Sequence, residues 1–327
     1  MIRMEYDIKL EYEARGHCDF VLNICPARTR SQRVVNESLH IEGATPSYTF
    51  TDPVTANRIN RLVTEGGAVT VRYAGTVELD HVIDDPAAVD ERAMSNMPSE
   101  VIPYILPSRF CPSDKMQPLA TAMFGNFPLG FARVAAICEW VTQHVRYAPE
   151  AADATACAMD TFDSRTGVCR DYAQLMISMC RALSIPARYV TGADYGVDPA
   201  RGSSDFHAYV EVFLGQRWYL FDPSGRASVM GLIRIGTGRD AADVSFETLF
   251  GSVRGTRPKV SIERVSSDGH AFEPAASMRK AVSTAMGTLY FHAAPKPAPA
   301  RQRSLPIQGP WAFRPTFASE RAAQFVQ

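Results

Sequence analysis

No two cysteines in this chain stand at C-x-x-C spacing, and none is set against histidine at zinc-ligand spacing, although seven cysteines are present. A structural metal site is therefore not expected. The odd, unpatterned cysteine count also argues against a disulfide framework and fits a reducing compartment. There is no excess of charge of either sign: 34 basic residues face 35 acidic ones, for a net charge of -1. That balance removes the electrostatic case for binding nucleic acid or an anionic membrane surface. No apolar run is long enough to cross a bilayer, and no internal repeat is visible. The opening segment MIRMEYDIKLEYEA alternates polar and apolar residues, so it reads as a strand and not as a signal peptide. A cytoplasmic location follows as the default expectation.

What is present is ample material for a packed core. The chain has 327 residues, 46% hydrophobic and 21% charged, which suggests two domains or one with appendages. Met4, Tyr6, Ile8, Leu10 and Tyr12 fall on one face of a strand, and similar runs recur at Phe20 to Ile24, Val69 to Tyr73 and Val77 to Leu79. Turn-rich stretches separate them, which predicts an antiparallel, β-sandwich-like domain over residues 1–95. Prolines recur between Asp84 and Asp114 and predict an extended connector over 84–114.

Helical spacing follows. Phe131, Val134, Cys138, Val141 and Val145 mark the buried face of one helix, with Pro128 near its start. Leu175, Met176, Met179 and Leu183 mark a second, stopped by Pro186. The strands ARYVTG, HAYVEVFL and RWYLFD come next, making residues 96–265 an α+β domain. The extension 266–327 is rich in proline and alanine without periodicity. It is expected to be largely irregular or disordered, or to serve as a lid, with Trp311 and Phe313 as its docking candidates.

One thiol draws attention. Cys169 follows Gly167-Val168 at the mouth of the second helix. A helix N-terminus presents free N–H groups and partial positive charge, which favour a thiolate. Those N–H groups could also hold the oxyanion of a tetrahedral intermediate. A buried helix-start cysteine is the alternative. A partner set appears in SSDFHAYVEVFLGQRWYLFDPSG, where His207 opens a strand and Asp222 closes the next. A nucleophilic cysteine needs a base, and the base needs an acceptor to fix its tautomer. Gly215-Gln216 between the strands is a two-residue, glycine-first hairpin signal. In that register Leu214 faces Arg217 and Asp222 falls opposite Tyr209, diagonal to His207 and within its reach. A three-residue loop would send Asp222 to the opposite face.

The blocks TGVCRDYAQLMISMCRALSIPARYVTG, HAYVEVF and WYLFDPSG, with the later TGRDAADVSFETLFG, resemble the transglutaminase-like superfamily. They resemble most its bacterial members, often described as cysteine proteases, over roughly residues 1–265. The resemblance implies a papain-like core in which a Cys-bearing helix packs on an antiparallel sheet. It implies Cys169 as nucleophile, His207 as base and Asp222 as orienting acid. Tyr209 stands where the family usually has tryptophan, so a changed pocket wall is expected there. The local signature of papain itself around the nucleophile is absent, so papain's substrate preferences do not transfer.

Other residues invite a place in the cleft. Asp171 matches the family pattern, but complementing the helix dipole explains it sufficiently. Tyr147 is a weak oxyanion candidate. Trp140 and Trp218 read as core anchors that could wall the cleft. Arg239 and Asp240 line the cleft or form an internal ion pair. His144 reads as a packed or surface histidine rather than a ligand. The expected activity is hydrolysis of amide or peptide bonds through an acyl-thioester, with a peptide or protein substrate and no metal or cofactor. Acyl transfer to an amine, a catalytically silent peptide-binding module and a redox-sensing thiol are the rivals. For the last, Cys180 lies about 16 Å along the same helix, too far to act as a resolving thiol.

Overall fold

The strict alternation of the opening segment becomes a single long strand, β1 (Ile2–Leu22), whose even-numbered residues from Ile2 to Ala14 are buried. The structure, a computed structural model, describes residues 1–195, 205–267 and 280–286. After β1 come β2 (Gln32–Glu42), β3 (Thr45–Thr51), β4 (Arg58–Thr64), β5 (Gly67–Leu79) and the short β6 (Val82–Asp84). The helices are α1 (Ser113–Phe124), α2 (Phe131–His144), α3 (Ala158–Ser164) and α4 (Cys169–Ala182), with β7 (Arg146–Tyr147) and β8 (Thr166–Gly167) between them. The chain continues as β9 (Ala187–Asp194), β10 (Phe206–Leu214), β11 (Arg217–Phe221), β12 (Leu232–Gly238), β13 (Glu247–Gly255), β14 (Lys259–Ser267) and β15 (Ala281–Met286). No helix among the described residues is long and apolar enough to cross a membrane.

β1 is long enough to be the spine of a seven-stranded sheet. β5 pairs with its first half and β4 with its second on one edge; β14 and β13 do the same on the other. The irregularity in the β13 pairing between Arg15 and Asp19 separates the two halves. Two strands of this sheet therefore come from residues 247–267, which by sequence alone fall to the second domain. The second sheet runs β12-β9-β10-β11-β15-β6. It takes β6 from the end of the predicted N-terminal domain and β15 from the extension, so residues 281–286 are ordered strand and not irregular tail. Residues 287–327, with Trp311 and Phe313, lie outside the described residues.

The N-terminal region is thus one sheet, and its sandwich partner is the second sheet. Met4, Tyr6, Ile8, Leu22 and Tyr73 share a core with Val190, Tyr209, Leu220, Ile233 and Val282. On the other face of the second sheet, Ala187, Val210, Val212 and Phe221 pack with Val134, Cys138, Val141, Leu175, Met176 and Met179 of the helices. The layers are helices, sheet, sheet. α4 lies at the centre and is buried on every side from Asp171 to Arg181.

Two local expectations change. The connector is not extended: residues 86–88, 94–96 and 99–104 form 3-10 turns, and α1 begins at Ser113. The Asp85 carboxylate accepts the Ala87 N–H, so the proline-rich text closes turns locally. At α2 the start is set by Gly130, not Pro128. Gly130 has φ 93°, and a Cβ there would lie 2.3 Å from the Val89 carbonyl oxygen, a position only glycine can hold.

Candidate active site

Cys169 occupies the first helical position of α4, preceded by Val168 in extended conformation. Asp171 reaches back within the first turn: its Oδ2 accepts the Val168 N–H at 2.9 Å, and its Oδ1 accepts from Arg170 at 2.8 and 3.0 Å. Asp171 is buried and acts as the helix cap, leaving the Cys169 N–H among the free donors of the first turn. Gly167 is required by this cap. A Cβ on Gly167 would fall 2.6 Å from the Asp171 Cβ; close approach, rather than an unusual φ, demands glycine. The entry strand β8 lies parallel to β7, with Gly167 opposite Tyr147.

β10 and β11 bring the partners. Leu214 pairs with Arg217 and Val210 with Phe221, around a turn in which Gly215 has φ 54°. Continued by one step, this register sets Asp222 opposite Tyr209. The Asp222 Oδ1 lies 3.2 Å from the His207 Nε2, an ion-pair contact in which the N–H does not point in line at the oxygen. The Cys169 sulfur lies close enough to the same imidazole to help raise its pKa.

The Asp222 carboxylate is held by its own loop. Oδ1 accepts from the Ser224 N–H at 3.0 Å and the Ser224 hydroxyl at 2.7 Å; Oδ2 accepts from the N–H groups of Arg226 at 3.1 Å and Ala227 at 2.9 Å. The DPSGRA text is therefore a carboxylate cradle. Burial pushes this carboxyl up, but the His207 charge, the imidazole contact and the loop donors outweigh it and hold it below its usual range. Burial pulls the His207 imidazole down, yet the Asp222 charge, the Asp222 contact and the Cys169 sulfur keep it well above its ordinary value. The Cys169 sulfur, the His207 imidazole and the Asp222 carboxylate are thus brought together at a helix mouth.

Sequence comparison places the same elements in a known family. Residues 119–223 match the transglutaminase-like superfamily, and residues 2–100 match the bacterial transglutaminase N-terminal domain. A crystal structure of a provisionally assigned cysteine protease from Cytophaga hutchinsonii superposes with a TM-score of 0.80 at 32% identity, covering 86% of this chain and 97% of that one. This chain belongs to the transglutaminase-like superfamily. An uncharacterised protein of Mycobacterium leprae is 28% identical over 120 residues, 34% of this chain and 42% of that protein. The match thus spans less than half of that relative's length.

Within this transglutaminase-like core the remaining candidates separate. Tyr147 stays at the site: it is half-buried, and the charges that act on it include Cys169, Arg226 and His207. The Arg226 guanidinium lies 3.9 Å from the centre of its ring. Tyr209 leaves the site. It is wholly buried in the core between the two sheets, so it is no pocket wall; the sheet is covered on both faces. Trp140 stacks with His144 at 4.4 Å and lies 6.2 Å from Phe162. His144 contacts the Phe162 carbonyl at 3.0 Å, so both belong to an aromatic cluster between α2 and α3. Trp218 packs with Phe213 and Val101 under the Arg188 guanidinium. Arg239 pairs with Asp243. Asp240 is buried and accepts the N–H groups of Phe110 and Ala242 at 2.9 Å each; it ties a loop and does not line the cleft.

Two residues of the site were not legible in the sequence. Arg226 enters through the Asp222 loop and lies over the Tyr147 ring. Asp194, at the end of β9, places Oδ2 3.7 Å from the His207 Nδ1. Only the β9–β10 pairing, in which His207 faces Gly192, reveals it.

Proposed function

We propose that this cysteine-dependent enzyme is a hydrolase of amide or peptide bonds, with Cys169 as nucleophile, His207 as proton carrier and Asp222 as the residue that orients His207. The observation that carries the reading is the convergence of Cys169 at the helix mouth, His207 and the loop-cradled Asp222, with Asp222 3.2 Å from His207 and the Cys169 sulfur near enough to help raise the imidazole's pKa. Sγ attacks the carbonyl carbon, and the negative charge on oxygen meets the N–H of Cys169 at the helix mouth. The C–N bond breaks as the imidazolium passes its proton to the departing amine, leaving an acyl-thioester. His207, now neutral, takes a proton from water, and hydroxide attack releases the carboxylic acid and restores the thiolate–imidazolium pair. Water is favoured over an amine as acceptor by the likeness to the Cytophaga hutchinsonii protein, whose assignment is to the cysteine proteases. A peptide or protein substrate follows from the reaction class. All seven cysteines are unpaired, which supports a reducing compartment, and with it the cytoplasm.

The test is a peptide library incubated with the protein, with and without a fluorescent primary amine. New carboxyl termini are expected in both arms and in neither with Cys169→Ala. Incorporation of the amine in preference to hydrolysis would overturn the hydrolase reading in favour of a transferase. Binding without turnover by the intact thiol would overturn it in favour of a silent peptide-binding module.

A further inference from the structure

His207 is flanked on both ring nitrogens. Asp222 stands 3.2 Å from Nε2 and Asp194 stands 3.7 Å from Nδ1. Both carboxylates are buried. The other polar groups that bear on this pocket are Cys169 on α4, Tyr147 on β7, Arg226 beyond β11 and Asp205 just before β10.

We propose that Asp194 is a second positioning carboxylate for His207, holding the Nδ1 edge of the ring as Asp222 holds the Nε2 edge. Its placement separates two jobs between its two oxygens. Oδ1 accepts the Asp205 N–H at 3.2 Å, and the Asp194 N–H donates to the Asp205 carbonyl at 3.4 Å. These bonds tie the end of β9 to the residue that leads into β10, two positions before His207. Anchoring the strand ends needs nothing more than this oxygen, and an asparagine would serve. Oδ2 is left facing the imidazole at ion-pair distance. Burial pushes the Asp194 carboxyl up, and the His207 charge and the Asp205 N–H offset this only in part, so the group stays raised on balance, with the Asp222 charge adding to the rise. Such a group is costly to bury unless its charge is used. Its use is to favour the protonated imidazole from the ring edge opposite Asp222.

The proposal rests on His207 being the base of the reaction above, and its test reads His207 directly. The 13C signal of the His207 ring is titrated by NMR in the wild type and in Asp194→Asn, which keeps the Oδ1 acceptor and removes the charge. An opposite charge at this distance shifts a titration by about one to three units. The His207 midpoint is expected to fall by at least about one unit in the variant, and the alkaline limb of kcat/KM to move down with it. The melting temperature is expected to stay near that of the wild type. An unchanged His207 midpoint in folded Asp194→Asn would overturn the proposal. Asp222→Asn gives an independent reading that does not require the Asp194 variant to fold. If Asp194 acts as proposed, His207 still titrates above the ordinary histidine range in that variant; a fall to or below that range overturns it. Peptidase activity that survives His207→Ala would sink the hydrolase mechanism instead and leave the titration result standing.

Discussion

The two ends of α4 each carry a cysteine followed by an arginine, and they have opposite fates. At the first turn Cys169 is only partly buried and meets His207, while Arg170 lies against Asp171. At the last turn Cys180 is fully buried, and burial pushes its thiol far above the ordinary range. Arg181 is buried too, donating to the carbonyls of Ala187, Leu106 and Arg239 and to the Ser108 hydroxyl. The same residue pair is chemistry at one end and mortar at the other. What differs is the surroundings: free N–H groups and an imidazole at the mouth, and loops needing donors at the far end.

The sharpest way to break this comparison is to exchange the thiols' importance. Cys169→Ala is expected to abolish turnover, by at least about 1,000-fold in kcat, with little change in melting temperature. Cys180→Ala is expected to keep kcat and lose about 1–2 kcal/mol of stability through the small cavity it leaves. Activity and denaturation curves on both variants decide the matter; survival of turnover in Cys169→Ala ends the assignment.

Asp222→Asn follows in size. It is expected to lower kcat by about 100- to 10,000-fold while substrate binding persists, because the amide loses the charge that holds the imidazolium. The sign of the pH effect is fixed by His207, whose value is raised in the fold. Its imidazolium contributes stability fully below the unfolded value near 6.5, and that contribution is lost as pH rises through the higher folded value. The wild-type alkaline limb of kcat/KM should therefore lie well above 6.5, and in Asp222→Asn it should move down. A limb that stays in place would show that Asp222 does not act on His207.

At the far end, Arg181→Met removes a buried cation and the donors that serve four acceptors. A loss of about 2–4 kcal/mol is expected in chemical denaturation, with kcat of the folded fraction unchanged. Wild-type stability in that variant would remove the structural role given to Arg181. The smallest effect belongs to the cap: Asp171→Ala should cost about 1 kcal/mol. Iodoacetamide at low ratio gives the finest reading of all. Cys169 should label first, with partly buried Cys157 next, before the five buried thiols. Peptide mapping that finds Cys157 or a buried thiol labelled ahead of Cys169 would show that contact with His207 does not activate it.

Some of this architecture was open to reading from the text of the chain. The period-two pattern of β1 and the Gly215-Gln216 turn are local signals, and the turn carries the β10–β11 register with it. The chain's text alone thus sets Asp222 beside His207. It does not set Asp194 there. The β9–β10 connection from Tyr195 to Asp205 is long and carries no two-residue turn signal, so nothing in the text fixes which residue of β9 faces which of β10. Tyr209 was misplaced for a related reason. The strand pattern of HAYVEVFL is apolar on both faces, which says that both are covered but not by what.

By itself the amino-acid order determined the strands of the first region, the helix that begins at Cys169, the order of thiol, imidazole and carboxylate, and the hairpin that joins the last two. These are set by periodicity, turn chemistry and capping, which act within a few residues. Only the tertiary structure decided that β13, β14 and β15 leave their neighbours in the chain to complete the two sheets. It also decided that the sheet below His207 is sealed by the N-terminal sheet, and that Asp194 stands across the ring from Asp222. Those outcomes depend on which open strand edges and apolar faces meet at long range, where burial and pairing are shared among segments far apart in the chain.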